Sequence, residues 1–313
     1  MTGTDTSLPT PAPDAPIDVS VCMVSLDCWS VLEPCLRSLR ASTGNVTYEV
    51  IVVDNASTDR TPELLARDFP EVQVVRNQRN VGFTIATNQG IRASRGRYIL
   101  WLNTDTVLQP DSLARLVAFL DDHPAAGIVG PKVLNADGSF QPQCRRGLPT
   151  PLVALLYMGG AERLLPGRTP ATQYLLSHLP VDQSNQVASV SGCCLLARRA
   201  VWDQIGPLDE SIFGFGEDID WCVRAHDAGW EVWYYPGSVI THLKGQGGVH
   251  SKPYHKLWGI HQAMWVFYRK HLHRRYGWPM TAAVAAGVLG SLAATVSGLW
   301  VRRRIRALVC WRA

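Results

Sequence analysis

The sequence predicts an α/β fold, a mainly parallel sheet with helices on both faces, followed by a basic helical extension. Three observations predict it. Short apolar runs rich in Val and Ile alternate with segments of helical spacing through the first 108 residues. A composition of 46% hydrophobic and 18% charged residues supplies a core and excludes a disordered, collagen-like or coiled-coil chain. The charge is also split. The last acidic residue is Glu231, and the 82 residues beyond it carry 12 basic side chains. The preceding 231 residues carry 18 basic and 26 acidic ones, so the net charge of +4 is −8 joined to +12. Such asymmetry points to an anionic partner for one end, either nucleic acid or an anionic membrane.

The elements follow in order. Residues 1–17 are polar and Pro-rich and lack the basic and apolar regions of a signal peptide, so they read as a disordered leader. Residues 19–24 (VSVCMV) form a strand, and 31–39 a helix with Leu32, Cys35, Leu36 and Leu39 on one face. Residues 48–53 form a second strand closing on Asp54, 61–69 a short helix, 72–75 a third strand and 83–93 another helix. The fourth strand, 98–102, runs into Asn103-Thr104-Asp105. In alternating folds of this kind ligands bind at the carboxyl ends of the strands, where Asp54 and Asp105 both stand.

Residues 110–120 read as a helix, with Pro110 in its first turn and Asp111 beside it. Residues 127–133 read as a strand. From 135 to 185 Pro, Gly and Gln break the pattern into loops around a short helix near 152–157. Residues 187–196 are β-like, 217–228 helical, and 231–235 and 238–241 short strands. Eight scattered Cys with no CxxC pair read as buried thiols in a reducing compartment.

Several polar positions allow two readings each. Asp54, followed by Asn55, Ala56 and Ser57, is a turn or helix cap, or an acceptor for a nucleobase imide N–H. Asp105 is a cap before Pro110, or an oxygen ligand for Mg²⁺ or Mn²⁺. Glu217, Asp218 and Asp220 follow a Phe/Gly loop. They either complement a helix N-terminus or raise one another's proton affinity toward that of a general base. His242 is a structural imidazole or a site residue at a strand end. The chain has no GxGxxG, no GxxxxGK[ST] and no GxSxG, which disfavours dinucleotide oxidoreductases, P-loop enzymes and α/β-hydrolases.

The order of these motifs carries a resemblance. Residues 50–59 (VIVVDNASTD), Asn80-Val81-Gly82-Phe83 with Asn88-Gln89-Gly90, and 102–106 (LNTDT) are similar to the family 2 glycosyltransferases of the GT-A fold. The second half agrees through 191–195 (SGCCL), 205–210 (IGPLDE), 217–220 (EDID), 228–230 (AGW) and Thr241-His242. The subgroup it resembles is the rhamnosyltransferase-like enzymes of bacterial cell-wall and polysaccharide assembly.

The resemblance implies a catalytic domain over 18–250, with a nucleotide-binding half at 18–108 and an acceptor-binding half at 109–250. It implies that Asp54, Asn55 and Ser57 hold the base, and that Asn80, Gly82, Asn88 and Asn103 line the nucleotide-sugar pocket. Asp105 and His242 would bind Mg²⁺ or Mn²⁺, Asp218 would be the general base, and Glu217 would orient the acceptor. Trp221 and Trp230 are expected in the core. The expected reaction is an inverting transfer from a dTDP- or UDP-sugar, with dTDP-L-rhamnose favoured, to a glycan or polyprenyl-diphosphate-linked acceptor. Alternatives are an inactive relative acting as a membrane-bound scaffold and a nucleotide-sugar pyrophosphorylase, although the Gly-rich loop of the latter is missing.

Two positions depart from the family pattern. Asp27 stands where an Asn-containing turn is usual, and is expected to face base, ribose or solvent because a carboxylate repels a diphosphate. Thr104 replaces a proline, which loosens the turn carrying Asp105.

The tail, 251–313, is basic, aromatic and apolar. Residues 281–301 carry no charge and are long enough to cross a bilayer. A spanning helix, an interfacial helix or hairpin, and a helix packed on the domain all compete. Basic clusters on both sides favour the interfacial form, at the cytoplasmic face of a bacterial membrane. No nucleic-acid module accompanies the basic patch, so no nucleic-acid partner is expected, whereas a homo-oligomer is compatible with the tail.

Overall fold

The computed structural model describes residues 16–161, 164–165, 167, 169–212, 214–243, 245 and 253–310, except for the side chains of 253–256 and 300–310. The expected leader therefore lies outside the described residues apart from Pro16 and Ile17. So do Phe213, Lys244 and Lys252, and the side chains of the Arg cluster at 302–306.

Two compact units emerge. The first begins with β1 (Val19–Ser25), α1 (Trp29–Arg40), β2 (Tyr48–Asp54), α2 (Thr61–Asp68), β3 (Gln73–Arg76), α3 (Phe83–Ala93) and β4 (Tyr98–Leu102). Strands β3, β2, β1 and β4 are neighbours in that order and all parallel. Burial on both faces explains their unbroken apolar sequences: Val21, Ile51, Val52 and Leu100 are fully buried. Leu32, Cys35, Leu36 and Leu39 on α1 are fully buried as well, as their spacing predicts.

The sheet continues through β5 (Thr106–Leu108), α4 (Ser112–Asp122), β6 (Ala126–Leu134), β7 (Arg145–Arg146), α5 (Pro151–Met158), β8 (Asn185–Gln186), β9 (Ser189–Val190), β10 (Cys194–Arg198), α6 (Arg199–Ile205), α7 (Glu217–Asp227) and β11 (Glu231–His242). The full order is β3-β2-β1-β4-β10-β6-β11-β5, with β8 added on β11. Strand β10 runs antiparallel to both β4 and β6, so the nine-stranded sheet is mixed, parallel only in its first half and between β6 and β11. The segment between β6 and β10 holds α5 and the short strands β7, β8 and β9 in place of a single strand–helix–strand crossover, and β10 can enter against the chain direction.

The β-like run at 187–196 splits in two. Residues Ser189–Val190 pair with β7 in a second, two-stranded sheet, and only Cys194–Arg198 joins the large one. Gly192 turns between them; a side chain there would meet the Trp101 indole at 2.7 Å. The two short strands expected near the end of the unit are one strand, β11. Its register shifts between Tyr235 and Val239, at Pro236-Gly237, which accounts for the break in the pattern. Seven cysteines are buried and unpaired in disulfides among the described residues, and burial pushes the thiols of Cys22, Cys35, Cys144 and Cys222 up to about 12.

The second unit joins Asp209–Glu217 to α8 (Pro253–Phe267) and α9 (His273–Cys310), with a π-helical turn at Tyr268–Leu272. Gly277, at φ 71°, breaks α9 two residues before Pro279. The chain folds back there as an antiparallel hairpin. The Ser291 hydroxyl donates to His261 Nε2 at 3.1 Å, and the Tyr268 and Thr281 hydroxyls meet at 3.1 Å. Within Leu257–Leu299 a window of 18 residues reaches a mean hydropathy of 1.7, long and apolar enough to cross a membrane. Trp278 and Leu289 stand 80% and 64% exposed, so this unit's own packing leaves apolar surface uncovered.

Candidate active site

The register of the large sheet gathers the acidic candidates of the first unit at one edge. Asp54 ends β2 opposite Ser25 of β1, and β4 ends on the same side before Asp105. Because β10 is antiparallel to β4, its first residues face the carboxyl end of β4, and the Asn103 N–H donates to the Cys193 carbonyl at 3.0 Å.

Asp54 is 1% exposed. Its Oδ1 accepts the Ser57 N–H at 3.2 Å, while Oδ2 has no hydrogen bond and lies 3.6 Å from Arg76 Nε. A buried carboxylate oxygen with an open acceptor position suits an N–H donor arriving from outside. Asn55 is a hub. Its Nδ2 donates to Asn80 Oδ1 at 2.9 Å, and its Oδ1 accepts from Asn77 Nδ2 at 3.1 Å and Val81 N–H at 3.0 Å. Asn80 Oδ1 also accepts the Gly82 N–H, and Gly82, at φ 94°, opens α3. Asn55, Asn80 and Gly82 therefore form one network that shapes the wall beside Asp54.

Ser57 Oγ accepts the Asp27 N–H, and the Asp27 carboxylate accepts the N–H groups of Thr58 and Asp59 at 2.6 and 3.1 Å. Asp27, half-buried, thus caps the 57–59 loop with its carboxylate. Asn88 is buried in the middle of α3, and its carboxamide exchanges two 3.0 Å hydrogen bonds with the backbone of Leu208.

Asp105 and His242 are brought together by strand pairing. His242 is the register partner of Thr106, and the Leu243 N–H donates to the Asp105 carbonyl. Their side chains meet at 3.2 Å between Oδ1 and Nε2, both nearly buried. Burial alone would lower the imidazole pKa, but hydrogen bonds to Asp105 and Cys193 outweigh it and push the group up to about 10. The other ring nitrogen, Nδ1, sits 3.0 Å from Gln141 Oε1, and the Gln141 amide donates in turn to Asn135 Oδ1.

A divalent cation fits this donor set. One carboxylate oxygen and one ring nitrogen converge, and the second nitrogen is oriented by an outer hydrogen bond. No cluster of three or more His, Cys, Asp or Glu able to hold a metal occurs among the described residues, so the remaining positions would fall to substrate oxygens and water. Thr104 is buried and its hydroxyl accepts from Cys28 Sγ at 3.6 Å, which ties the turn to the start of α1 where proline was expected. Asn103, half-buried beside it, uses its backbone carbonyl to accept from the Thr106 hydroxyl at 2.7 Å.

Asp218 lies in the first turn of α7, one residue after the buried Glu217. Its Oδ2 accepts from Arg146 Nη2 at 2.6 Å and from the Gly192 N–H at 2.9 Å; its Oδ1 accepts the Ile219 N–H at 2.8 Å. A carboxylate offers about four acceptor positions. Three are used, and one on Oδ1 remains for a proton donor. Burial works against charge on Arg146, but the neighbouring Asp218 carboxylate outweighs it and keeps the guanidinium protonated. Arg146 also donates to the Val190 carbonyl at 2.9 Å. Trp221 is core, with its indole N–H on the Gly206 carbonyl, and Trp230 is partly buried against the same core with its N–H on Gln204.

Three residues of this site escaped sequence reasoning: Arg146, Gln141 and Arg76. Arg146 and Gln141 fall in the stretch where periodicity fails, and their partners are more than 70 residues away. The only signal was the charged pair Arg145-Arg146 in an otherwise uncharged segment from 138 to 161.

Comparison with known proteins gives the family and the fold. The family model described as Glycosyl transferase family 2 matches residues 20–179. The N-acetylglucosaminyl-diphospho-decaprenol L-rhamnosyltransferase of Mycobacterium tuberculosis is 30% identical over 291 residues, covering 88% of this chain and 90% of that protein. The succinoglycan biosynthesis protein ExoO of Rhizobium meliloti is 38% identical over 112 residues, 36% of this chain and 32% of that one. Among solved structures, S. aureus TarS superposes with a TM-score of 0.57 at 17% identity over 87% of this chain and 43% of that one. GalNAc-T7 with UDP, GalNAc and Mn²⁺ superposes with a TM-score of 0.55 at 18% identity, over 83% and 52%. The chain thus spans about half the length of these solved structures, and the likeness to them is one of fold, GT-A.

Proposed function

The chain belongs to glycosyltransferase family 2, and on that premise we propose that it is an inverting, metal-dependent enzyme moving L-rhamnose from dTDP-rhamnose to a polyprenyl-diphosphate-linked sugar. The observation that supports this reading is the Asp105–His242 pair just beyond the carboxyl end of β4, with Asp54 at the same end of β2 and Asp218 on the Gly192 N–H just before β10. Its 30% identity to an enzyme named for rhamnose transfer onto a decaprenyl-linked sugar supports the donor and acceptor.

Each group has one role. Asp54 Oδ2 accepts the imide N–H of the base, inside a wall set by Asn55, Ser57, Asn80 and Gly82, with Asn103 at the strand end. Asp105 and His242 are the residues that would hold the cation, which would supply positive charge against the departing diphosphate. A sugar hydroxyl is a weak nucleophile at neutral pH. Asp218 Oδ1 takes its proton as the oxygen attacks the anomeric carbon, and Glu217, next in the chain, orients the acceptor. The bond from the anomeric carbon to the diphosphate breaks on the opposite side, and the configuration inverts.

Uracil presents the same imide N–H as thymine, so a UDP-sugar is the alternative donor. The α8–α9 hairpin, with its uncovered apolar face and basic flanks, holds the enzyme at an anionic cytoplasmic membrane surface, where a lipid-linked acceptor is found. The test is a transfer and donor-binding assay over dTDP- and UDP-sugars with Mn²⁺ or Mg²⁺. Turnover of dTDP-rhamnose supports the reading. Binding without turnover of any donor favours an inactive scaffold, and absence of both overturns it.

A further inference from the structure

The loop that leads into Glu217 and Asp218 belongs to the C-terminal hairpin. Asp209–Glu217 groups with α8 and α9 and not with the sheet on either side of it in sequence. Two side-chain ties stand out among the described residues. Lys270 Nζ lies 2.6 Å from Asp209 Oδ2, with both side chains about two-thirds buried or more, and Gln262 Nε2 donates to the Ser211 carbonyl at 2.6 Å. A Cβ on Gly216 would touch Ala263 at 3.7 Å, so α8 also passes beside the far end of the loop.

The loop is itself built around Asp209. Its Oδ1 accepts the Ser211 N–H at 3.0 Å and the Ser211 hydroxyl at 2.7 Å, and the Ile212 N–H donates to the Asp209 carbonyl. One carboxylate therefore shapes the loop with one oxygen and anchors it to the hairpin with the other. Gly214 and Gly216 both have positive φ, 77° and 87°, a backbone with little intrinsic preference for one conformation. A loop of this kind needs external ties to hold a single geometry.

We propose that Lys270 and Gln262 are positioning residues, and that through them the hairpin sets the geometry of the acceptor-side loop entering Glu217-Asp218. The proposal rests on the glycosyltransferase reading for its kinetic consequence and on the hydrogen-bond geometry alone for its structural one. The hairpin is then more than an anchor: the element that docks on the lipid surface also grips the loop beside the acid pair.

The experiment uses the full-length protein with Lys270→Ala, Gln262→Ala and Lys270→Arg, and measures backbone amide exchange across 209–217 together with steady-state transfer. In Lys270→Ala the Ser211 and Ile212 amides exchange about tenfold faster, and the acceptor KM rises about tenfold. The kcat and the donor Kd stay within about twofold of the unaltered protein, because the donor residues are untouched. Lys270→Arg, which keeps the charge, restores both readings. Gln262→Ala, which removes only the second tie, gives the same direction of change and serves if Lys270→Ala does not fold.

Unchanged exchange in both variants overturns the latch, and so does faster exchange with an unaltered acceptor KM. An equal loss of donor affinity overturns it as well, because that marks a general structural defect. If the unaltered protein transfers no sugar, the enzyme reading fails on its own, and the exchange measurement still decides whether the hairpin holds the loop.

Discussion

Arg146 Nη2 donates to Asp218 Oδ2 at 2.6 Å, and the two residues reach each other across 72 positions of sequence. The pair is nearly buried, with 11% and 12% of the side chains exposed. Oδ2 is fully engaged by Arg146 and the Gly192 N–H, whereas Oδ1 accepts only the Ile219 N–H.

Removing Arg146 leaves Asp218 buried with its strongest partner gone. Arg146→Ala is expected to lower stability by about 3 kcal/mol, the lower end for breaking a buried pair. It is also expected to lower kcat about a hundredfold by releasing the carboxylate from its orientation. Urea denaturation and steady-state transfer check the two numbers. Arg146→Lys keeps the charge but not the fork that also reaches the Val190 carbonyl, and falls between.

The Asp105–His242 pair predicts a metal requirement with a measurable outer contribution. His242→Ala abolishes metal-dependent transfer. Gln141→Leu, which removes the contact to His242 Nδ1 along with the hydrogen bond to Asn135, raises the Mn²⁺ concentration for half-maximal activity about tenfold. Chelation removes activity and added Mn²⁺ restores it. A metal titration of transfer and of direct Mn²⁺ binding, run in parallel, gives both values.

Much of this site could be read from the chain, and the rest could not for identifiable reasons. Asp54 and Asp105 close or follow strands whose apolar runs are plain in the sequence, so their place at the carboxyl ends of β2 and β4 follows from the alternation of elements, whereas His242 ends a strand that the sequence divides at Pro236-Gly237. Asn88 carries the family motif, and its carboxamide also bonds the backbone of Leu208, a contact 120 residues away that no local pattern encodes. Gln141 and Arg146 sit between strands in a segment held by side-chain contacts instead of periodicity. The antiparallel entry of β10 has no sequence mark either, because a five-residue buried strand reads the same in both directions.

Asp209 makes a prediction in pH. Burial would raise its carboxyl, but the Lys270 ammonium and the Ser211 donors outweigh it and bring it to about 2, below the ordinary 3.8. A carboxyl lowered on folding stabilises the loop fully above its ordinary value, and that contribution is lost as pH falls through 3.8 toward 2. Amide exchange of Ser211 and Ile212 is therefore flat in intrinsic protection above about pH 5 and loses protection below about pH 4. In Lys270→Ala the loss moves to higher pH.

The tail predicts a salt-sensitive membrane attachment. Replacing Arg302, Arg303, Arg304 and Arg306 with Gln weakens binding to vesicles containing anionic phospholipid by about 1 kcal/mol per charge removed. The loss is visible by co-sedimentation at low ionic strength and shrinks at high salt. Vesicles of neutral lipid show little difference between the two proteins.

The most direct test of the central claim is Asp218→Asn, a substitution that keeps the shape of the side chain and removes its capacity to take a proton. Sugar transfer and donor affinity are measured on the same preparation. Transfer falls at least a thousandfold, within the range assigned to a positioned general base, while the nucleotide-sugar Kd stays within about threefold. Transfer that survives the substitution, or donor binding that disappears with it, contradicts Asp218 as the base.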